Sequence, residues 1–329
     1  MNRDDVIAII HNARTQGEVP DFGGADLTGV DLAGLDLRGC NFARANFSQA
    51  DLSKANLIRA NLSKADFSGA KLTGVRWHGA ILDGANLSGA LLSQQNLDST
   101  SLSGANLSKA KLQRASLRWA RLNRALLPDA VLAEANLFEA DLSDADLTRA
   151  DLRGAQAQGA SFVAAKLIGA GLNQANLTNA DLSGATLEKT RMAHTDFTTA
   201  KLPGLNLQGY DLRGANFTEA DLAGSNLSEA SLISANFTTA NLTNINLSGA
   251  DLRKTDFSHA TLTGANLEAA NVTDEQFALV KSLENATMPD GSKFVPTKAP
   301  KGMKPEKRRA TATGLAAALS RIKKNTPDS

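Results

Sequence analysis

Almost nothing in this chain is suited to an ordinary globular core. Aromatic residues make up only 5% of the 329 positions, a thin supply for one packed interior. An architecture that needs contacts only between successive repeats is therefore favoured. Cysteine occurs once, at Cys40, so no disulfide can form within one chain. No apolar span approaches the ~20 residues of a membrane-crossing helix. The run Val6 to Ile10 follows Arg3, Asp4 and Asp5 and is too short for the core of a secretory leader. A cytoplasmic address is the expectation, with secretion as an effector kept as an alternative. The four histidines, His11, His78, His194 and His259, are scattered, and none shares a metal-ligand spacing with a carboxylate or thiol. No glycine-rich phosphate loop follows a strand. No catalytic residue, cofactor, metal or small-molecule substrate is expected, and the chain reads as a non-enzyme.

What the chain has instead is a five-residue unit repeated about fifty times. In Ala215-Asn-Phe-Thr-Glu and Ala220-Asp-Leu-Ala-Gly, a small residue precedes Asp or Asn, then a large apolar residue, a short polar one and a variable one. The large residue falls at Phe22, Leu27, Leu32 and every fifth position to Val272. A helix turns about 100° per residue, so this period would scatter the apolar positions around its cylinder. A strand alternates faces, so an odd period would throw them to opposite sides. The chain must change direction once per repeat, which makes it a coil of short straight sides stacked on itself.

The number of sides is legible in the spacing of unusual residues. Phe197, Phe217, Phe237, Phe257 and Phe277 lie twenty apart, as do Phe22 and Phe42, and Phe47 and Phe67. Between residues 21 and 275, charged pairs at a spacing of twenty are opposite in sign twelve times and alike twice, the latter at Asp31/Asp51 and Arg44/Lys64. The opposite pairs include Asp51/Lys71, Asp98/Arg118, Lys109/Asp129, Arg114/Glu134, Arg121/Asp141 and Arg124/Asp144. Cross-strand neighbours sit about 4.8 Å apart, where like charges destabilise. Residues n and n+20 are therefore expected to be stacked, with four sides to each coil.

These A-(D/N)-L-(S/T)-x units resemble the pentapeptide-repeat family over roughly residues 20 to 290. The resemblance implies an all-β solenoid, a right-handed quadrilateral parallel β-helix. It also implies a choice of functions. One is a rigid scaffold or protein-interaction module for an unidentified protein partner. The other is a DNA-mimicking modulator of a type II topoisomerase such as gyrase. Residues 21 to 272 carry 25 acidic and 22 basic side chains, a poor imitation of a duplex with one charge per ~1.7 Å. The scaffold reading is preferred.

Short helical caps are expected at both ends, giving four segments. Residues 1–19 hold a helix over 3 to 16, N-capped by Asp4 or Asp5 and stopped by Gly17, with Val6, Ile9, Ile10 and Ala13 on the face that lids the first coil. The coil occupies 20–272, roughly thirteen turns of it. Leu35, Val75, Leu205, Tyr210 and Ile245 at the small position are expected to swell it, and Ala157 replaces a large residue. Gln95, Thr100, Thr190 and Thr195 point polar atoms inward and are expected to bond backbone. The Asp/Asn column reads as turn chemistry, and the basic belt from Lys109 to Arg124 reads as ion-pair laddering. In 273–295 a capping box at Thr273 to Gln276 is expected to start a C-terminal helix. Phe277, Val280 and Leu283 line it and offer cap or homodimer contacts. Residues 296–329 form a basic, disordered tail. Within it Lys307, Arg308, Arg309, Leu315, Leu319, Ile322, Lys323 and Lys324 are candidates for docking a partner, or for weak contact with nucleic acid or an anionic membrane.

Overall fold

The computed structural model describes residues 1–295. It separates into two compact units, one from Met1 to Arg191 and one from Met192 onward. In each unit the backbone forms four-sided coils. Isolated parallel bridges join residue n to n+20 on every side, from Asp21↔Asn41 to Gly171↔Arg191 in the first unit and from Asp196↔Asn216 to Asp251↔Asn271 in the second. We number the sides of a coil by their central residue in the first turn: Phe22, Leu27, Leu32 and Leu37.

One repeat accounts for all five of its backbone donors, as buried backbone must. Around Phe42, the Asn41 N–H donates to the Pro20 carbonyl of the coil before (2.9 Å). The N–H groups of Phe42 and Arg44 donate to Asn61 and Ser63 of the coil after (2.7 and 2.8 Å). The Ala45 N–H closes a turn onto the Phe42 carbonyl at 3.0 Å. The remaining donor, the Ala43 N–H, goes to the Asn41 side chain at 3.2 Å. That last bond explains the Asp/Asn column. A short acceptor two residues back is the group that satisfies the fifth donor, as in Ser53 to Asp51, Thr148 to Asp146 and Ser248 to Asn246.

The turn closing each side has a positive φ at its second central residue, for example Gly24 (70°), Arg44 (62°) and Lys254 (61°). This is the type II arrangement, and it accounts for the glycines at the last repeat position. Bulky residues at the small position strain the same turn. Its hydrogen bond is 2.9–3.0 Å at Ala50, Ala55 and Ala60 but 3.3 Å at Val75 and Tyr210 and 3.2 Å at Leu35 and Ile245. At Leu205 the turn opens altogether: the Ser225 hydroxyl donates to the Leu202 carbonyl (2.7 Å) and accepts the Leu205 N–H (3.0 Å).

Inside, the large residues stack. Phe217 lies 4.8 Å from Phe237 and 5.0 Å from Phe197 between ring centroids, with planes within 5° of parallel. Phe22 and Phe42, and Phe47 and Phe67, stack at 4.7 and 5.1 Å. Ala157 is buried at a large position. Inward polar atoms are bonded as expected: Thr100 and Thr190 donate to the Leu97 and Leu167 carbonyls (2.7 Å each). Gln95 donates to Leu72 (2.8 Å) and accepts from the buried Trp77 indole (3.2 Å).

The first helix, α1 (Arg3–Thr15), forms with corrections at its start. Its N-cap is Asn2, not Asp4 or Asp5, and Asp5 completes a capping box. Gly17 ends it at φ 72°, with Glu18 N–H bonded to the Ala13 carbonyl and Gly17 N–H to Arg14, a Schellman arrangement. Val6 and Ile10 are the buried pair.

The helix expected after Thr273 is not an α-helix. Asp274–Phe277 is a single 3-10 turn, whose Gln276 accepts from the Thr273 N–H (3.0 Å) and donates to the Leu252 and Thr255 carbonyls (2.7 Å each). Phe277 stays in the phenylalanine column, 6.2 Å from Phe257. One extra residue is then absorbed and the coil resumes, with Thr261↔Ser282 and Asn266↔Thr287 paired. Coil pairing ties the Lys281 and Thr287 N–H groups to the preceding coil at Ala260 and Ala265 (2.9 and 2.8 Å), whereas a short helix detached from it would be marginal by itself. An antiparallel bridge from Thr287 to Lys293 closes the described chain.

Candidate interaction surface

Because the inward positions are packed and mostly apolar, with polar atoms such as those of Gln95, Thr100, Thr190 and Ser225 taken up by hydrogen bonds, chemistry sits at the outward ones: the Asp/Asn position, the short polar position after the central residue, and the positive-φ corner. On most coils these carry Ser, Thr, Asn, Asp or Gly. The exceptions are the informative residues.

The coil from Lys109 to Arg124 carries Lys109, Arg114, Trp119 and Arg124 at its four corners, and the next coil carries Asp129, Glu134, Glu139 and Asp144 at the same corners. Arg114 Nε donates to Glu134 at 2.7 Å, and Arg124 lies 3.9 Å from Asp144. Asp129, expected to pair with Lys109 below, closes two hydrogen bonds with Arg149 above (2.7 and 2.8 Å). The Asp51–Lys71 and Asp98–Arg118 pairs form at 3.3 Å. The Arg114 and Arg149 guanidinium groups hold the carboxyls of Glu134 and Asp129 below their usual range. Of the six basic residues from Lys109 to Arg124, Arg114, Arg118 and Arg124 pair with an acid one coil away, and the expected Lys109–Asp129 and Arg121–Asp141 pairs are not among the ion pairs of the described residues.

The fourth side of the belt is different. Trp119 is 44% exposed and Phe138 36% exposed. Their rings meet edge to face at 6.0 Å. The Arg118 guanidinium lies 4.4 Å over the indole, and the indole N–H donates to Glu139 at 3.0 Å. Asp98 anchors the arrangement, accepting the Arg118 N–H at 3.0 Å and the Ser116 hydroxyl. Sequence reasoning passed over this cluster. Its signal was available, since Trp119 and Phe138 are the large aromatics at outward positions, nineteen apart and so diagonal across adjacent coils.

The sites expected from the sequence fall elsewhere. Phe277 and Leu283 are buried inside the coil, with Val280 half-buried beside them, so the apolar helix face expected of them is not formed. Lys307, Arg308, Arg309, Leu315, Leu319, Ile322, Lys323 and Lys324 lie outside the described residues. Cys40 is buried and unpaired, and burial pushes its thiol up to about 11, which leaves it little thiolate. His11, His78, His194 and His259 are exposed. Among the described residues no group of three potential ligands is placed to hold a metal. No helix among them is long and apolar enough to cross a membrane.

No curated protein matches the sequence. Among solved structures, similarity is found to HetL, a pentapeptide repeat protein involved in heterocyst differentiation regulation from the cyanobacterium Nostoc sp. PCC 7120, with 26% identity, 89% of this chain and all of that chain covered, and a TM-score of 0.27. Rfr23 from the cyanobacterium Cyanothece 51142 is 28% identical over 34% of this chain and 86% of its own, with a TM-score of 0.25. A pentapeptide repeat protein from the Arabidopsis thaliana thylakoid lumen is 25% identical over 48% of this chain and 83% of its own, with a TM-score of 0.23. The family model for Pentapeptide repeats matches successive overlapping segments from 21–59 through 240–274. Read with the n to n+20 ladder, that match establishes that the chain belongs to the pentapeptide-repeat family.

Proposed function

We propose that this protein is a non-enzymatic, cytoplasmic β-helical scaffold whose fourth side, around Trp119, docks a protein partner. Its coils wind right-handed, the hand that L-residue strand twist favours. The observation that carries the docking role is the Arg118–Trp119–Phe138 stack. Elsewhere the exposed apolar side chains on the outward columns are aliphatic, such as Leu91, Leu126 and Ile81, yet here two large rings stand together, 44% and 36% exposed. Trp and Arg are the residue types that most often dominate binding energy at protein interfaces, and aromatic rings are enriched at interface cores. Arg118 stacked on the ring and tethered to Asp98 is pre-organised, so little of its freedom remains to be lost on binding. Mimicry of DNA is disfavoured by charge, because residues 1–191 hold 20 acidic and 20 basic side chains. The basic segment 296–329, with Lys307, Arg308, Arg309, Lys323 and Lys324, adds an electrostatic arm that raises association rate more than affinity.

A quantitative crosslinking pull-down from the source cells tests this, comparing the full chain with a Trp119→Ala/Phe138→Ala variant of matched thermal midpoint. A partner retained by the first and lost by the second is expected. Equal capture by both would rule out the docking role of the fourth side.

A further inference from the structure

The first coil of the first unit and the last coil of the second unit leave opposite backbone groups unpaired. Most interior repeats send two N–H groups forward to the next coil, from the central and corner residues, and one N–H back, although among the described residues the forward bonds are missing at Gly69, Leu72, Gly74, Trp77 and Gly79. The first coil therefore turns a surplus of carbonyl acceptors toward its open end, and the last coil a surplus of donors. At the N-terminal end α1 covers the acceptors. Arg3 donates to the carbonyls of Asp31 and Ala33 (2.9 and 3.0 Å) and Arg14 to those of Asp36 and Arg38 (3.1 and 3.2 Å). At the other end the N–H groups of Val272, Leu283 and Asn285 have no acceptor among the described residues. Leu279 is exposed beside them.

We propose that α1 is a removable lid that keeps the acceptor end of one molecule from receiving the donor end of a second copy, head to tail. The occupant follows from the pairing pattern: the donors at Val272, Leu283 and Asn285 call for carbonyls at the coil's own vertical spacing, and the first coil of a second copy supplies them. An edge of unpaired strand groups is a template for such addition. The contact is heterologous, joining two different surfaces, so repeated addition builds a ring or an open series. The lid is lightly held. Val6 and Ile10 are its buried side chains, Ile7 is 43% exposed, and the remaining anchors are the two arginines. A helix of 13 residues is marginal once undocked.

The test uses the full chain with Arg3→Ala/Arg14→Ala, and separately with Val6→Asp/Ile10→Asp, read by sedimentation velocity and by amide exchange. The expected result has three parts. The α1 amides exchange faster than in wild type. The sedimentation coefficient climbs with concentration, while wild type does not follow it. In the assembled variant the amides of Val272, Leu283 and Asn285 slow at least about tenfold. Freed α1 amides with unchanged sedimentation would overturn the proposal. So would assembly that leaves those three amides unprotected, because another surface would then be joining the copies. An α1 that stays protected with Asp at positions 6 and 10 overturns it too, since the lid would not be removable.

Discussion

At the scale of single residues, two positions in the repeat do work that composition alone conceals. The Asp/Asn position completes the backbone donors, and it also builds a ladder of its own: Asn246 donates to Asn226 at 2.9 Å while accepting the Ser248 N–H at 3.1 Å. Asn246→Ala removes both bonds and is expected to cost about 1–3 kcal/mol, read as a lower denaturant midpoint. The corner position must adopt positive φ. Gly209 sits at 71° with nothing within 4 Å of the place a Cβ would occupy. Gly209→Ala therefore isolates backbone strain from packing and is expected to destabilise by about 1 kcal/mol. A substitution that leaves the melting curve unmoved would contradict the turn assignment. Both roles were half visible in the sequence. Turn chemistry reads from the column itself, whereas the side-chain ladder, as from Asn246 to Asn226, depends on which neighbour lies overhead.

At the scale of elements, the stacked columns and α1 carry the stability that can be localised. Phe237 is fully buried between Phe217 and Phe257, at 4.8 and 5.5 Å. Phe237→Ala is expected to cost about 3–5 kcal/mol, measured by equilibrium denaturation. The seat of α1 should respond to acid. The Arg38 hydrogen bond, aided by Arg14, lowers the Asp36 carboxyl to about 2. A carboxyl whose folded value is depressed stabilises the fold in full above its ordinary range, and the contribution is lost as pH falls through the folded value. The thermal midpoint difference between wild type and Asp36→Asn should therefore be present at neutral pH and shrink between pH ~4 and ~2. A gap that holds constant across that window would show that the charge is not what matters. The C-terminal element is where sequence reasoning failed. Thr273 to Gln276 does look like the start of a helix, and the turn it starts does form. What a local pattern could not register is the open ladder of the preceding coil, whose unmet donors from Leu262, Gly264 and Leu267 recapture the chain at Ser282, Glu284 and Thr287.

For the whole molecule, stability in such a fold is a sum over neighbouring coils. Damage should stay local: faster amide exchange caused by Phe237→Ala is expected in the coils that touch it, with residues 21 to 60 unchanged. Exposed ion pairs contribute little, on the order of 0–1 kcal/mol each, so Arg114→Ala should barely move the melting curve. What the chain determined by itself is its pairing rule. A five-residue period with aromatics and charges recurring at twenty leaves one way to bury every large residue, and the Phe217–Phe237 stack follows from it. Tertiary structure alone decided which outward side chains meet. Trp119 and Phe138 stand out along the chain as large aromatics at outward positions, and they form one surface with Arg118 because stacking brings residues nineteen apart to within ring contact. Periodicity specifies where a residue sits in its coil, whereas a docking surface depends on what the neighbouring coils happen to place around it.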